Sequence, residues 1–200
     1  EVSHLAKSYG SRKVVKDVIV NSGIPYTIFE AGIIVGSGSV SFEIIRDLTE
    51  KLPVMVVPRW LNSKCQPIAI RNVINYLFRC LRDENTYFRT FEIGGPDVLS
   101  YKQMLLDFAE VRGYKRYIIA MPVVFPGLSA YWLYLTTSAN FTIAKQLVES
   151  MKNDVICQEN SIQDIIPQEL ISYKDAIRMA FMRIKQNMVV SSWTDAASSS

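Results

Sequence analysis

Between residues 11 and 121, short apolar runs of strand length alternate with amphipathic helical stretches, and few architectures accept that order. The key run is Ile33-Ile34-Val35 at the end of a β-rich segment, Tyr26 to Val35. An unbroken apolar run suits a strand covered on both faces of a parallel sheet. Before it, residues 11–22 predict a helix with Val14, Val15, Val18 and Ile19 as one stripe and Lys13, Lys16 and Asp17 on the wet face, closed by Gly23 as a left-handed C-cap. After it, Ser41 to Lys51 predicts a helix with Phe42, Ile45 and Leu48 on one side, and Pro53 to Pro58 a strand. Gln66 to Ile70 predicts a further strand, and Asn72 to Leu81 a helix with Val73, Tyr76, Leu77 and Cys80 inward. Asp83-Glu84-Asn85 is a turn, Phe88 to Ile93 a strand, Ser100 the N-cap of a helix that runs to Val111 and ends at Gly113, and Tyr117 to Met121 a strand. This rhythm predicts an α/β chain with a mainly parallel sheet. It stops at Pro122: residues 127–152 read as helical, Ser161 to Ile166 as a short turn or helix, and Ser172 to Asn187 as an amphipathic helix. The chain therefore divides into residues 1–122, a helical part at 123–187, and a tail or linker at 188–200.

Composition narrows the chemistry. A hydrophobic share of 49% against 20% charged residues supports a packed core rather than disorder. A net charge of +3 gives no case for a polyanion, so no nucleic-acid partner is expected. Cys65, Cys80 and Cys157 are odd in number and lack close spacing, which argues against a disulfide framework or a zinc site and suits a reducing, cytoplasmic setting. With His4 as the one histidine, a multi-histidine metal site is excluded. The segment from Glu1 to Lys16 has no apolar stretch of a secretion signal. The start at Glu1 and the end at Ser198-Ser199-Ser200 read as cuts in a longer protein.

Several local patterns could carry chemistry. Tyr9 and Lys13 stand four apart at a helix start, where a lysine charge can ease ionisation of a phenol. Gly36-Ser37-Gly38-Ser39 reads either as a flexible strand-to-helix turn or as a ligand-lining loop; Ser41 breaks the G-x-G-x-x-G pattern. Gly94-Gly95-Pro96-Asp97 reads as a turn in which glycine supplies positive φ. Arg112, Tyr114, Lys115, Arg116 and Tyr117 form a basic-aromatic cluster that reads as a solvated helix end. Tyr117 to Leu135 is nearly free of charge, but Pro122, Pro126 and Gly127 interrupt it, so no integral membrane span is expected. Asn140-Phe141-Thr142 matches a glycosylation sequon by chance.

Taken in order, Ser22-Gly23-Ile24-Pro25-Tyr26-Thr27, Ala31 to Ser39, Leu52-Pro53-Val54-Met55, Gln66 to Val73 and Phe91 to Asp97 resemble an atypical, extended short-chain dehydrogenase/reductase of the nucleoside-diphosphate-sugar epimerase-like kind. The resemblance runs from about Ser11 to Trp193. It implies the C-terminal part of a Rossmann-like, mainly parallel sheet plus a helical substrate-side region, with the glycine-rich first βα unit lying before residue 1. It implies NAD(P) as cofactor, with Ala31, Gly32 and Ile33 beside the nicotinamide. Gly36, Ser37, Gly38 and Ser39, together with Phe42, would border a small-molecule substrate. Tyr9 would be the acid/base, tuned by Lys13 or Arg12, although the family register counted back from Ser22 puts Ser8 and Arg12 at those two places. The implied activity is hydride transfer on a nucleotide-sugar or similar polar substrate. Two other readings stand beside it: a non-catalytic NAD(P)H-sensing or assembly module of the same fold, and a membrane-peripheral subunit touching lipid through Tyr131-Trp132-Leu133-Tyr134. A sheet cut in this way would expose an edge, so a homodimer is also expected.

Overall fold

The computed structural model describes residues 13–121, 153–159 and 161–185. The expected helix at 127–152, the tail, and Ser8, Tyr9, Arg12, Tyr131 to Tyr134 and Asn140 lie outside them. Residues 13–21 form α1, followed by β1 (Thr27–Ala31), β2 (Ile34–Val35), α2 (Val40–Lys51), β3 (Val54–Pro58), β4 (Lys64–Cys65) and β5 (Ile68–Ala69). Then come α3 (Ile70–Cys80), β6 (Arg89–Ile93), β7 (Leu99–Ser100), α4 (Tyr101–Val111), β8 (Tyr117–Met121), α5 (Ile162–Ile165) and α6 (Tyr173–Lys185). Strand pairs β1–β6, β2–β5 and β3–β8 are parallel, and the short pair β4–β7 is antiparallel. The α/β, mainly parallel architecture is therefore present.

Local chemistry explains most boundaries. Ser39 caps α2 by accepting from the Phe42 amide, and Ser100 caps α4 by accepting from the Gln103 amide. Gly23 and Gly113 end their helices at φ of 72°, a backbone state that other residues adopt only with strain. Ser172 opens α6, its hydroxyl accepting from the Asp175 amide.

Four expectations change. The strand foreseen over 26–35 is two strands, because the chain changes partner at Gly32-Ile33: Ala31 lies against Ile93 of β6, whereas Ile34 lies against Ile68 of β5. The strand foreseen at 66–70 shrinks to two residues, since α3 already starts at Ile70. Leu77, expected inward, is half-exposed, because the inner arc of α3 is filled by Val73, Tyr76 and Cys80. Gly94 and Gly95 do not supply positive φ; among the described glycines Gly23, Gly38 and Gly113 do. A Cβ on Gly95 would stand 2.1 Å from the Pro67 carbonyl oxygen, so close approach of backbone is what excludes a side chain there.

The core has two parts. One lies among α2, α4, α6 and the inner face of β3–β8, around Phe42, Met55, Met104, Phe108 and Ile177. The other lies between α3 and one face of β1–β6, around Tyr76, Phe91, Ile162 and Ile166. The apolar stripe of α1 is exposed at Val14, Val15 and Val18.

Candidate functional site

Parallel strands that end side by side leave a crevice at their carboxyl ends, the usual ligand position in open α/β sheets. Here that place is where Ala31 of β1 meets Ile93 of β6, with Gly32 and Gly94-Gly95 next along each chain. Segment 154–158 straps this end. Val155 donates to the Lys64 carbonyl at 2.8 Å and accepts from the Gln66 amide at 3.2 Å. The Asp154 carboxylate accepts from the Lys64 amide at 2.7 Å. The Gln158 amide donates to the Glu92 carboxylate at 2.6 Å. Gln66 ties the pieces together: its Nε2 donates to the Gly95 carbonyl at 2.7 Å, and its Oε1 accepts from the Cys157 amide at 3.1 Å. The strap presses Val155 against Gly32, where a Cβ would come within 2.8 Å of Val155 Cγ1. Gly32 is nonetheless exposed, so its backbone is open to a ligand.

The residues singled out from sequence scatter. Lys13 is exposed at the start of the described part of α1. Ala31 and Gly32 stand at the crevice, whereas Ile33 is buried and its carbonyl accepts from the Ile68 amide. Gly36 is packed against Ile70, with 2.6 Å between a Cβ position and Ile70 Cγ2. Phe42, expected to border substrate, is 2% exposed, with its ring centroid 5.7 Å from that of Phe108 and 5.6 Å from that of Phe181; its place is the core.

The Gly36–Ser39 turn also satisfies itself. Ser39 donates to the Ile34 carbonyl and accepts from the Phe42 amide, and the Gly38 amide points to the Glu43 carboxylate at 3.4 Å. A carboxylate already occupies the position that a phosphate would take at this helix N-terminus. Gly32 is exposed, and the Gly36–Ser39 turn offers no free phosphate cradle.

The basic-aromatic cluster is spent within the molecule. The Arg116 guanidinium donates to the Thr49 and Glu50 carbonyls at the end of α2. That of Arg112 pairs with Glu50 and lies 4.0 Å from the Phe181 ring centroid. Asp97 serves as more than a turn: its carboxylate accepts from the Tyr173 amide at 2.7 Å and so caps α6. Gln66, Glu92 and Cys157 were missed as site residues. No local pattern marks them, since each contact joins distant parts of the chain.

The thiols are quiet. Cys65 is wholly buried beside Met104, and burial pushes its pKa from 9.0 to about 12. Burial, and then the nearby Glu92 carboxylate, also raises that of Cys157. In the folded protein at pH 8, Cys157 is expected to be the one thiol of the three that reacts with a disulfide reagent, since Cys65 and Cys80 are buried. Because the folded Cys65 holds its proton while the unfolded one loses it, stability is retained below pH 9 and falls as pH rises from 9.0 towards about 12. Denaturant midpoints at pH 8 and above 9 test this, and a Cys65→Ala variant should show a smaller fall.

No family model matches the sequence, and no curated protein does. Solved structures do. A nucleoside-diphosphate-sugar epimerase from Staphylococcus aureus matches with a TM-score of 0.58 at 13% identity, over 85% of this chain and 56% of that one. An NADPH-dependent quinone oxidoreductase from Escherichia coli matches with a TM-score of 0.61 at 11% identity, over 83% and 58%. A UDP-glucuronic acid 4-epimerase from Bacillus cereus, solved with NAD, matches with a TM-score of 0.55 at 13% identity, over 83% and 46%. The chain has the Rossmann-like fold of these structures. It spans about half the length of the structures it matches. Among the described residues, no helix is long and apolar enough to cross a membrane.

Proposed function

We propose that this chain carries the substrate-side part of an NAD(P)-dependent epimerase or oxidoreductase acting on a nucleotide-sugar-like or other small polar substrate. The observation that supports the reading is the exposed Gly32 at the joint carboxyl end of parallel strands β1 and β6, in a chain with this fold. Hydride exchange is the chemistry that a bound nicotinamide supplies. Ala31 and Gly32 would give it a backbone surface, Ser37 and its turn would border the substrate, and Tyr9 with Lys13 or Arg12 would hold and move the proton. Ser8 and Arg12 are the alternative pair. The phosphate-holding βα unit would lie outside these 200 residues.

The self-satisfied Gly36–Ser39 turn favours a second reading, a non-catalytic NAD(P)H-sensing or assembly module. Calorimetric titration separates the parts of the proposal. The chain alone is expected to bind NADH and NADPH more weakly than about 1 μM. A longer form carrying a glycine-rich βα unit is expected to bind one of them, and in that form Tyr9→Phe should cut turnover by at least about 100-fold. Tight binding by the chain alone would refute the missing cradle. Unchanged turnover would remove Tyr9 as the acid/base and leave the module reading.

A further inference from the structure

We propose that the strap at 154–158 is a gate on the crevice: it swings out as one unit while the core stays folded, and so frees the part of Gly32 that Val155 covers. The strap is held by polar bonds rather than by burial. Asp154 and Gln158 are exposed, and Val155, Ile156 and Cys157 are partly buried; none of the five belongs to the core. A segment fastened in this way opens at a lower free energy than one anchored by buried apolar side chains. The platform beneath it is different. Cys65, between the anchors Lys64 and Gln66, is wholly buried and paired with Leu99 of β7. Glu92 stands in β6 between Phe91 and Ile93, which are 1% and 3% exposed. The platform therefore stays in place when the strap leaves it.

Shared anchors make the strap one unit. Lys64 donates its amide to the Asp154 carboxylate and accepts from the Val155 amide. Gln66 donates its amide to the Val155 carbonyl and accepts from the Cys157 amide through its side chain. Glu92 accepts from the Gln158 amide with its carboxylate, and from the Cys157 thiol, at 3.3 Å, with its carbonyl. Each anchor holds two strap residues, so the loss of one bond loosens the next. Inside the strap, Gln158 Nε2 donates to the Ile156 carbonyl at 3.1 Å. The link to the crevice is steric. The φ of Gly32 lies outside the left-handed region, so its backbone accepts a side chain, but Val155 Cγ1 fills that place. Closure of the strap and any other occupant of that place exclude each other. The gate rests on the function proposed above only for what passes through it, the nicotinamide-bearing ligand that reaches Gly32 when the strap is out.

Native-state hydrogen exchange and thiol labelling on the 200-residue chain, with no ligand added, test the gate. The amides of Val155, Cys157 and Gln158, and those of Lys64 and Gln66 whose acceptors lie in the strap, should open together. Their protection should be at least about tenfold below that of the core residue Ile177, and low concentrations of urea should barely change it. Cys157 should react with a disulfide reagent in step with that opening. Gly32→Ala should speed the labelling at least about tenfold, because swinging out relieves the clash with Val155 Cγ1. In a Val155→Ala background, which lacks that methyl, Gly32→Ala should leave the labelling rate unchanged. Strap amides that exchange only when Ile177 does would overturn the proposal. So would strap amides that open one by one with different protection, or labelling of Cys157 that Gly32→Ala does not speed. Where Gly32→Ala fails to fold, exchange in the unaltered chain decides. No cofactor enters these measurements, so failure of the gate leaves the proposed function standing, and failure of that function leaves the exchange pattern standing.

Discussion

Replacing Gly95 by alanine is expected to lower the unfolding free energy by about 3 kcal/mol or more, the upper range for overpacking. The added Cβ would stand 2.1 Å from the Pro67 carbonyl oxygen and 3.2 Å from its carbon. These are backbone atoms, and they cannot turn aside as a side chain does. The next residue, Ile68, is held by its amide to the Ile33 carbonyl at 2.9 Å and is paired with Ile34. Relief of the clash must therefore move β5 away from β2, or Gly95 away from the end of β6. Gly94 provides the contrast. Its Cβ would meet Gln66 Cδ at 2.6 Å, and a glutamine side chain can rotate. Gly94→Ala should cost about 1 kcal/mol per bond lost as Gln66 gives up the Gly95 carbonyl and the Cys157 amide. Urea denaturation of both variants gives the comparison. Equal costs, or a loss under about 1 kcal/mol for Gly95→Ala, would show that the approach of the two backbones is not what fixes this joint.

Asn72→Leu is expected to cost about 2–4 kcal/mol, because a larger apolar side chain replaces a buried amide and removes its three hydrogen bonds. Asn72 is 3% exposed in the first turn of α3. Its Nδ2 donates to Gln168 Oε1 and to the Glu169 carbonyl, both at 2.9 Å, and its Oδ1 accepts from the Ile171 amide at 3.0 Å. The Gln168 Nε2 returns a bond to the Asn72 carbonyl at 3.2 Å. One side chain thus fastens the segment that leads into α6, and α6 carries Tyr173, Ala176 and Ile177 into the main core. Hydrogen exchange gives the sharper readout. The Ile171 amide should lose most of its protection, while the Tyr173 amide, held independently by Asp97, should lose less. Uniform loss at both amides would mean that Asn72 supports global stability rather than this fastening.

The same residues show why some of the fold could be read from sequence and some could not. Caps, helix ends and the alternation of elements are local: a serine before a helix or a glycine after one acts on neighbours within four residues. Ser100, Gly23 and Gly113 stand where the sequence placed them, whereas α2 starts one residue before Ser41, capped by Ser39. Periodicity showed that α3 has an apolar arc, but not which part of the arc would be covered, so Leu77 was assigned to the wrong side. The need for Gly32 depends on Val155, and the need for Gly95 depends on Pro67. Neither dependence leaves a trace near the glycine. Phe42 follows a glycine-rich turn and drew a ligand role from that proximity, yet helical spacing aims it at Phe108 and Phe181. The crevice wall is harder still, since Gln66, Glu92 and Cys157 act largely through backbone groups brought from three separate stretches.

The strap has a consequence for the order of assembly. Its bonds join residues 154–158 to residues 64–66 and 92, so a ribosome must release at least 90 residues beyond Lys64 before the edge beside Gly32 can be closed. Strands β1 and β6, with α3 on their face, can form well before that. The crevice therefore begins life open on one side and is closed late, over a long loop of chain.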